Sequence, residues 1–210
     1  MSKIVVSVFF FCLFLSCAVK GDCNVMIDSL PDAKVSPDAI QYNDRGVELL
    51  VKYRGNMDSL RLAVDFFNQA IEVDSSYLLA YVNKAQVLCV MGEAKKAIAT
   101  MDIVCRMKPN DRTYLFAKGL CQDVAGDKDL AQNSYKQSLA VYDRLIREYP
   151  DSVALYVNKY FTLLFTNVPS RQVVDSINSY KSKLPGNSVW KMYDFDAFIK
   201  EDFLNKMTKR

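Results

Sequence analysis

The chain has 210 residues, half of them apolar and 24% charged, enough for one packed body or a short array of repeats with flanking segments. Its formal net charge is +3, and no basic run exceeds Lys95-Lys96 or the terminal Lys209-Arg210, so it lacks the concentrated basic stripe that nucleic-acid binding requires. Histidine is absent from the whole sequence, which excludes Ser-His-Asp and Cys-His catalysis, histidine-ligated metal sites and imidazole pH switching.

The N-terminus reads as a targeting segment. Met1-Ser2-Lys3 is a short charged start, and Ile4 to Leu15 is almost wholly apolar. That run falls short of the ~20 residues of a membrane-spanning helix and has the length of a signal-peptide apolar region. It ends at Phe14-Leu15-Ser16-Cys17, which resembles a bacterial lipobox, although Phe14 and Leu15 depart from its stricter form. The resemblance implies that residues 1–16 are removed and that Cys17 is lipidated and becomes the mature N-terminus. Several acyl chains together anchor a protein stably, whereas one is marginal. The alternatives are an ordinary signal peptide cut after Ala18, leaving a soluble periplasmic or secreted protein, and a retained anchor. Residues 17–35 contain Gly21, Asp22, Pro31 and Asp32 with few large apolar groups, and read as a tether.

The folded body begins at Ser36-Pro37-Asp38, a capping residue followed by proline at the first helical position. An internal repeat follows: Tyr81-Val82-Asn83-Lys84 returns as Tyr156-Val157-Asn158-Lys159, 75 residues later. In the middle unit Tyr81, Ala85 and Leu88 precede Gly92, then come Ala97, Met101, Val104 and Pro109. This order and spacing resembles the tetratricopeptide repeat (TPR), with Tyr for Trp, Leu for Tyr and Met for Phe. The preceding unit has Tyr42, Arg45-Gly46, then Ala63, Phe67 and Ala70, with an insertion around Tyr53 to Asp58. The following unit has Gly119, Gly126, Ala131, Tyr135 and Ser138. A fourth runs from Pro150-Asp151-Ser152 through Tyr156, Tyr160 and Leu163 to a degenerate second helix at about residues 170–184. Two repeat periods of about 34 residues leave about seven over in the 75-residue offset, two helical turns that Tyr142 to Glu148 can supply. The resemblance implies an all-α, TPR-type helix-turn-helix solenoid of about four repeats over residues 36–184. Asp74-Ser75, Pro109-Asn110-Asp111 and Pro150-Asp151-Ser152 fall at its inter-repeat turns.

Pro185-Gly186-Asn187 breaks the pattern. Phe195, Ile199, Phe203 and Met207 then recur every four residues, an amphipathic helix. Residues 185–210 therefore read as a capping segment for the open end of the array. The alternative is that residues 187–207 fold back into the array's own groove, or dock on a partner.

Motifs for nucleotide, zinc-protease and calcium chemistry are missing. Asp127-Lys128-Asp129 and Asp194-Phe195-Asp196 read as helix-start residues rather than metal ligands. Beyond the leader's Cys12 and Cys17, the cysteines are Cys23, Cys89, Cys105 and Cys121. Cys89 and Cys121 fall on successive first helices, ~10 Å apart and beyond the usual span of a disulfide. Mainly buried, unpaired thiols are expected, with one disulfide as the alternative.

In TPR proteins the inner face of each first helix lines a groove for peptides. The resemblance carries that face onto Asn43, Val47 and Leu50, onto Val82, Asn83, Gln86 and Cys89, onto Phe116 and Leu120, and onto Val157, Phe161 and Leu164. Asn43, Thr113 and Ala117 stand at or near positions where carboxylate-clamping repeats carry cations, so carboxylate capture is not expected. Asn83 and Asn158 read as local hydrogen-bonding residues before ligand contacts. The groove is otherwise apolar, which suits an amphipathic helix or an apolar extended peptide. The expectation is a non-enzymatic protein-protein interaction module tethered to the bacterial cell envelope by lipid, with no cofactor and no metal. The alternatives are an immunity or inhibitor protein that neutralises a toxin at the membrane, and a carbohydrate-binding lipoprotein using Trp190, Tyr193 and Tyr53.

Overall fold

A computed structural model describes residues 35–184 and 200–208. The leader, Cys17, Cys23 and the stretch that holds Trp190, Tyr193, Phe195 and Ile199 lie outside the described residues. Among the described residues every element is a helix: α1 (Pro37–Lys52), α2 (Met57–Val73), α3 (Leu78–Val90), α4 (Ala94–Met107), α5 (Arg112–Ala125), α6 (Lys128–Glu148), α7 (Val153–Leu163), α8 (Ser170–Ser182) and α9 (Lys200–Thr208).

Local chemistry explains most boundaries. Asn56 caps α2 by accepting from the Ser59 N–H at 2.9 Å, and Asp111 caps α5 by accepting from Thr113 and Tyr114. Both satisfy backbone donors that a helix start leaves unpaired. Gly92 and Gly126 end α3 and α5 with φ of 80° and 87°, a left-handed turn that glycine adopts without a Cβ penalty. The expected insertion between Tyr53 and Asp58 is the turn between α1 and α2, and the two extra turns lie in the 21-residue α6. Two expected caps differ. The Ser36 side chain caps nothing. Its N–H donates instead to Asp74 Oδ2 at 3.1 Å, tying the start of α1 to the α2–α3 turn. The Asp127 side chain makes no capping bond, so the acidic start of α6 acts through its charge at the helix N-terminus. Asp111→Ala is expected to cost about 1 kcal/mol and to lower the melting temperature by about 2–4 °C, which thermal circular dichroism can measure.

Consecutive helices joined by short turns pack side by side, and α3 also touches α1 and α5. Small residues set the approach. A Cβ on Gly46 of α1 would fall 2.6 Å from the Phe67 ring of α2, and one on Gly119 of α5 would fall 2.5 Å from the Tyr135 ring of α6. Each glycine is thus the socket for an aromatic knob on the next helix. Successive cores continue along the stack, from Leu50, Leu60 and Phe67, through Val82, Leu88 and Met101, to Phe116, Tyr135 and Phe161.

The central helix α3 is buried at eleven of its residues, covering every side. Neighbours α1, α2, α4 and α5 account for much of this, and α9 lies against both α3 and α5. Lys118 and Lys159 pin further neighbours through ion pairs to Asp102 and Asp143, partly exposed contacts that contribute little individually.

Candidate functional site

The twelve residues assigned to the inner face occupy two settings. Asn43 and Asn83 bond to each other across α1 and α3, with Nδ2 of Asn83 donating to Oδ1 of Asn43 at 2.8 Å. Each buried amide thereby has a partner that water would otherwise supply. Leu50, Val82, Gln86 and Val157 are buried, and Val47 is half-buried beside Leu50. Phe116, Leu120 and Phe161 form the second setting, a cluster completed by Phe203 and Met207 of α9. An aspartate at Phe116 or Phe161 would be buried among rings, so such a substitution tests the core rather than a free surface.

The site beneath α9 centres on a charge. Asp123 projects from α5 with its side chain only 2% exposed, and Lys200 reaches it from α9 with a side chain 16% exposed. Nζ of Lys200 lies 2.7 Å from Asp123 Oδ2 and donates to the Phe165 carbonyl at 2.8 Å. It also lies 5.3 Å from the centre of the Tyr135 ring, within cation–π reach. The Tyr135 hydroxyl donates to the same Asp123 oxygen at 2.7 Å. Burial, and then the Asp123 charge, push the Tyr135 pKa well up, so the phenol keeps its proton and remains a donor. Gln132 donates to the Phe165 carbonyl and accepts from the Asn167 N–H, fixing the turn that presents that carbonyl.

Apolar contacts continue along α9. The Phe203 ring meets Phe165 and Phe161 edge-on, at 5.2 and 6.2 Å between centres, an arrangement aromatic quadrupoles favour. At the far end, Arg54 from the α1–α2 turn donates to the Met207 carbonyl at 2.8 Å, placing a cation where the helix dipole is negative. In this way α9 runs from the α6–α7 side of the stack to its first turn. Sequence reasoning missed Lys200, Asp123, Tyr135 and Arg54 as one constellation. A signal existed in Asp123 itself, a carboxylate on the stripe that Phe116 and Leu120 begin at helical spacing.

Two other features bear on the expected chemistry. Cys89 and Cys121 are free thiols. The neighbouring Cys89 side chain, and then burial, push the Cys121 pKa well up. Both lie in the core cluster joining α3 and α5, the buried, unpaired thiols expected from the helix spacing. Cys105 is also unpaired, with its pKa raised by burial. A cleft of about 690 Å³ beside α8 is lined by Tyr160, Tyr180, Arg171 and Asp175. Tyr180 stacks on Tyr156 at 4.7 Å, which occupies one face of each ring that a sugar would otherwise use.

Among the described residues no group of three or more cysteines or carboxylates converges as a metal site. No helix among them is long and apolar enough to cross a membrane. Comparison with protein-family models, with curated proteins and with solved structures gives no match.

Proposed function

We propose that the chain is a non-enzymatic interaction module of the bacterial cell envelope, built as a TPR-type solenoid of about four repeats and tethered through a lipidated Cys17. Support for the repeat lies in the interlocks. Gly119 meets Tyr135 sixteen residues on, as the repeat requires, and Gly46 meets Phe67 with five more residues between them, the length of the α1–α2 insertion. The tether rests on the apolar leader ending at Leu15-Ser16-Cys17.

The observation that carries the binding function is α9. An amphipathic helix already lies against α3 and α5 with Phe203 and Met207 inserted, so this face is shaped for a helix. The mechanism is passive: a preformed curved surface holds a partner protein near the membrane.

Cys17→Ser is expected to move the exported protein from the membrane fraction to the soluble fraction and to abolish acyl labelling. Unchanged fractionation and labelling would overturn the tether. For the binding function, chemical crosslinking in native envelope membranes, read by mass spectrometry, is expected to join a partner to residues around α3, α5 and α9. Crosslinks confined to other faces would overturn it.

A further inference from the structure

We propose that the inner face recognises a partner helix bearing lysine, then phenylalanine three residues later and methionine seven residues later, and that α9 is the chain's own exchangeable occupant of this site. The proposal rests on the reading of this face as a protein-binding surface and gives that partner its chemistry.

The site selects a cation. Asp123 supplies a buried carboxylate, Phe165 a carbonyl, and Tyr135 a ring face, all around the ammonium of Lys200. A neutral side chain leaves the carboxylate without its counter-ion, and the planar fork of arginine matches this point-charge socket poorly. Two apolar seats follow at helical spacing, one for Phe203 between Phe161 and Phe165 and one for Met207 in the same cluster. The Arg54 bond to the Met207 carbonyl fixes direction, because only the C-terminal end of a helix offers free carbonyls there. Charge, two apolar seats and polarity together define a Lys-x-x-Phe-x-x-x-Met helix, the pattern that α9 itself carries.

The occupant is built to exchange. Among its described side chains only Phe203 and Met207 are buried, so few apolar contacts hold it in place. A partner presenting the same three side chains on a preformed helix loses less entropy on docking. Tethering gives α9 a local concentration on the order of millimolar, so it lowers the partner's apparent affinity by the fraction of time it stays seated.

The test uses the full chain and a labelled synthetic peptide with the sequence of residues 198–210, read by fluorescence anisotropy. Lys200→Met in the chain weakens the seated helix, and is expected to raise peptide affinity at least about tenfold over the wild-type chain. Phe203→Ala in the chain does the same by another route, should the first variant fold poorly. Glu201→Ala, on the exposed side of α9, is expected to match wild type. A peptide carrying Lys200→Met is expected to bind about tenfold more weakly to either opened chain. Equal affinity for wild-type and opened chains, or for the two peptides, would overturn the proposal. So would a wild-type dimer that the peptide dissociates, since the occupant would then be a second copy. An envelope partner crosslinked to this face but lacking the pattern would overturn the proposal and leave the binding function standing. Tight peptide binding with no such crosslinks would overturn the envelope function and leave the socket standing.

Discussion

Asp123→Ala is expected to release α9 from the stack while the remaining helices stay folded. Removing one member of a buried ion pair costs about 3–5 kcal/mol when the other charge stays buried. Here the Lys200 ammonium would keep the Phe165 carbonyl but lose its counter-ion, and the Tyr135 hydroxyl would lose its acceptor. The docking of α9 cannot carry that loss. Its two buried apolar side chains, Phe203 and Met207, gain about 1.5–3 kcal/mol each, and the entropy of ordering the segment offsets much of this. The lysine therefore returns to water with its helix. Hydrogen exchange should show protection lost over Lys200–Thr208 and retained over α2 to α5. Asp123→Asn keeps an acceptor for Tyr135 and should lie between the two. Wild-type protection over α9 in Asp123→Ala would show that the ion pair does not hold the helix.

Gly119→Ala is expected to destabilise the stack by about 1–3 kcal/mol, although alanine is the better helix former by about 1 kcal/mol. The new methyl would stand 2.5 Å from the Tyr135 ring, closer than carbon atoms approach. That ring cannot readily retreat, because its hydroxyl is bonded to Asp123 and it is hemmed in by the tilted rings of Phe116 and Phe165. Gly46→Ala meets Phe67 at 2.6 Å, but Phe67 has no hydroxyl to hold it in place, so the loss should be smaller. Gly55→Ala meets nothing within 4 Å and should be neutral or slightly stabilising. Urea unfolding midpoints of the three variants should therefore rank Gly119, Gly46, Gly55, lowest to highest.

The helices were legible because their signals are local. Asn110-Asp111, Gly92 and Gly126 mark turns through their own backbone preferences, and the spacing of Ala with Phe67, Met101 or Tyr135 on α2, α4 and α6 marks a buried stripe. The length of α6 followed from a repeat offset alone. Less legible was which surface is later covered: the spacing of Phe203 and Met207 left the groove only as an alternative to a cap at the open end. Asn43, Asn83 and Phe116 lie on the expected inner face, yet they are buried by neighbouring helices and α9, and no residue pattern in α1, α3 or α5 announces that cover. The Asp123–Lys200 pair joins positions 77 apart in sequence; Asp123 stands out on its apolar stripe, but nothing local names Lys200 as its partner. Ser36 shows the same limit on a small scale: its expected local cap gave way to a bond with Asp74, which only the packed turn brings near.

The hydrogen bond from Arg54 to Met207 spans 153 positions of the chain. Stacked helical arrays behave as one-dimensional assemblies in which each unit is held only by its neighbours, so unfolding can begin at an end and travel inward. A helix that reaches from the last units back to the first turn makes the assembly a closed circuit. A seated α9 is expected to join the two ends in one unfolding transition, and its release to leave the helices folded but let each end unfold at lower denaturant. Should α9 give way to a partner helix as proposed, that occupant is expected to take over the link between the two ends.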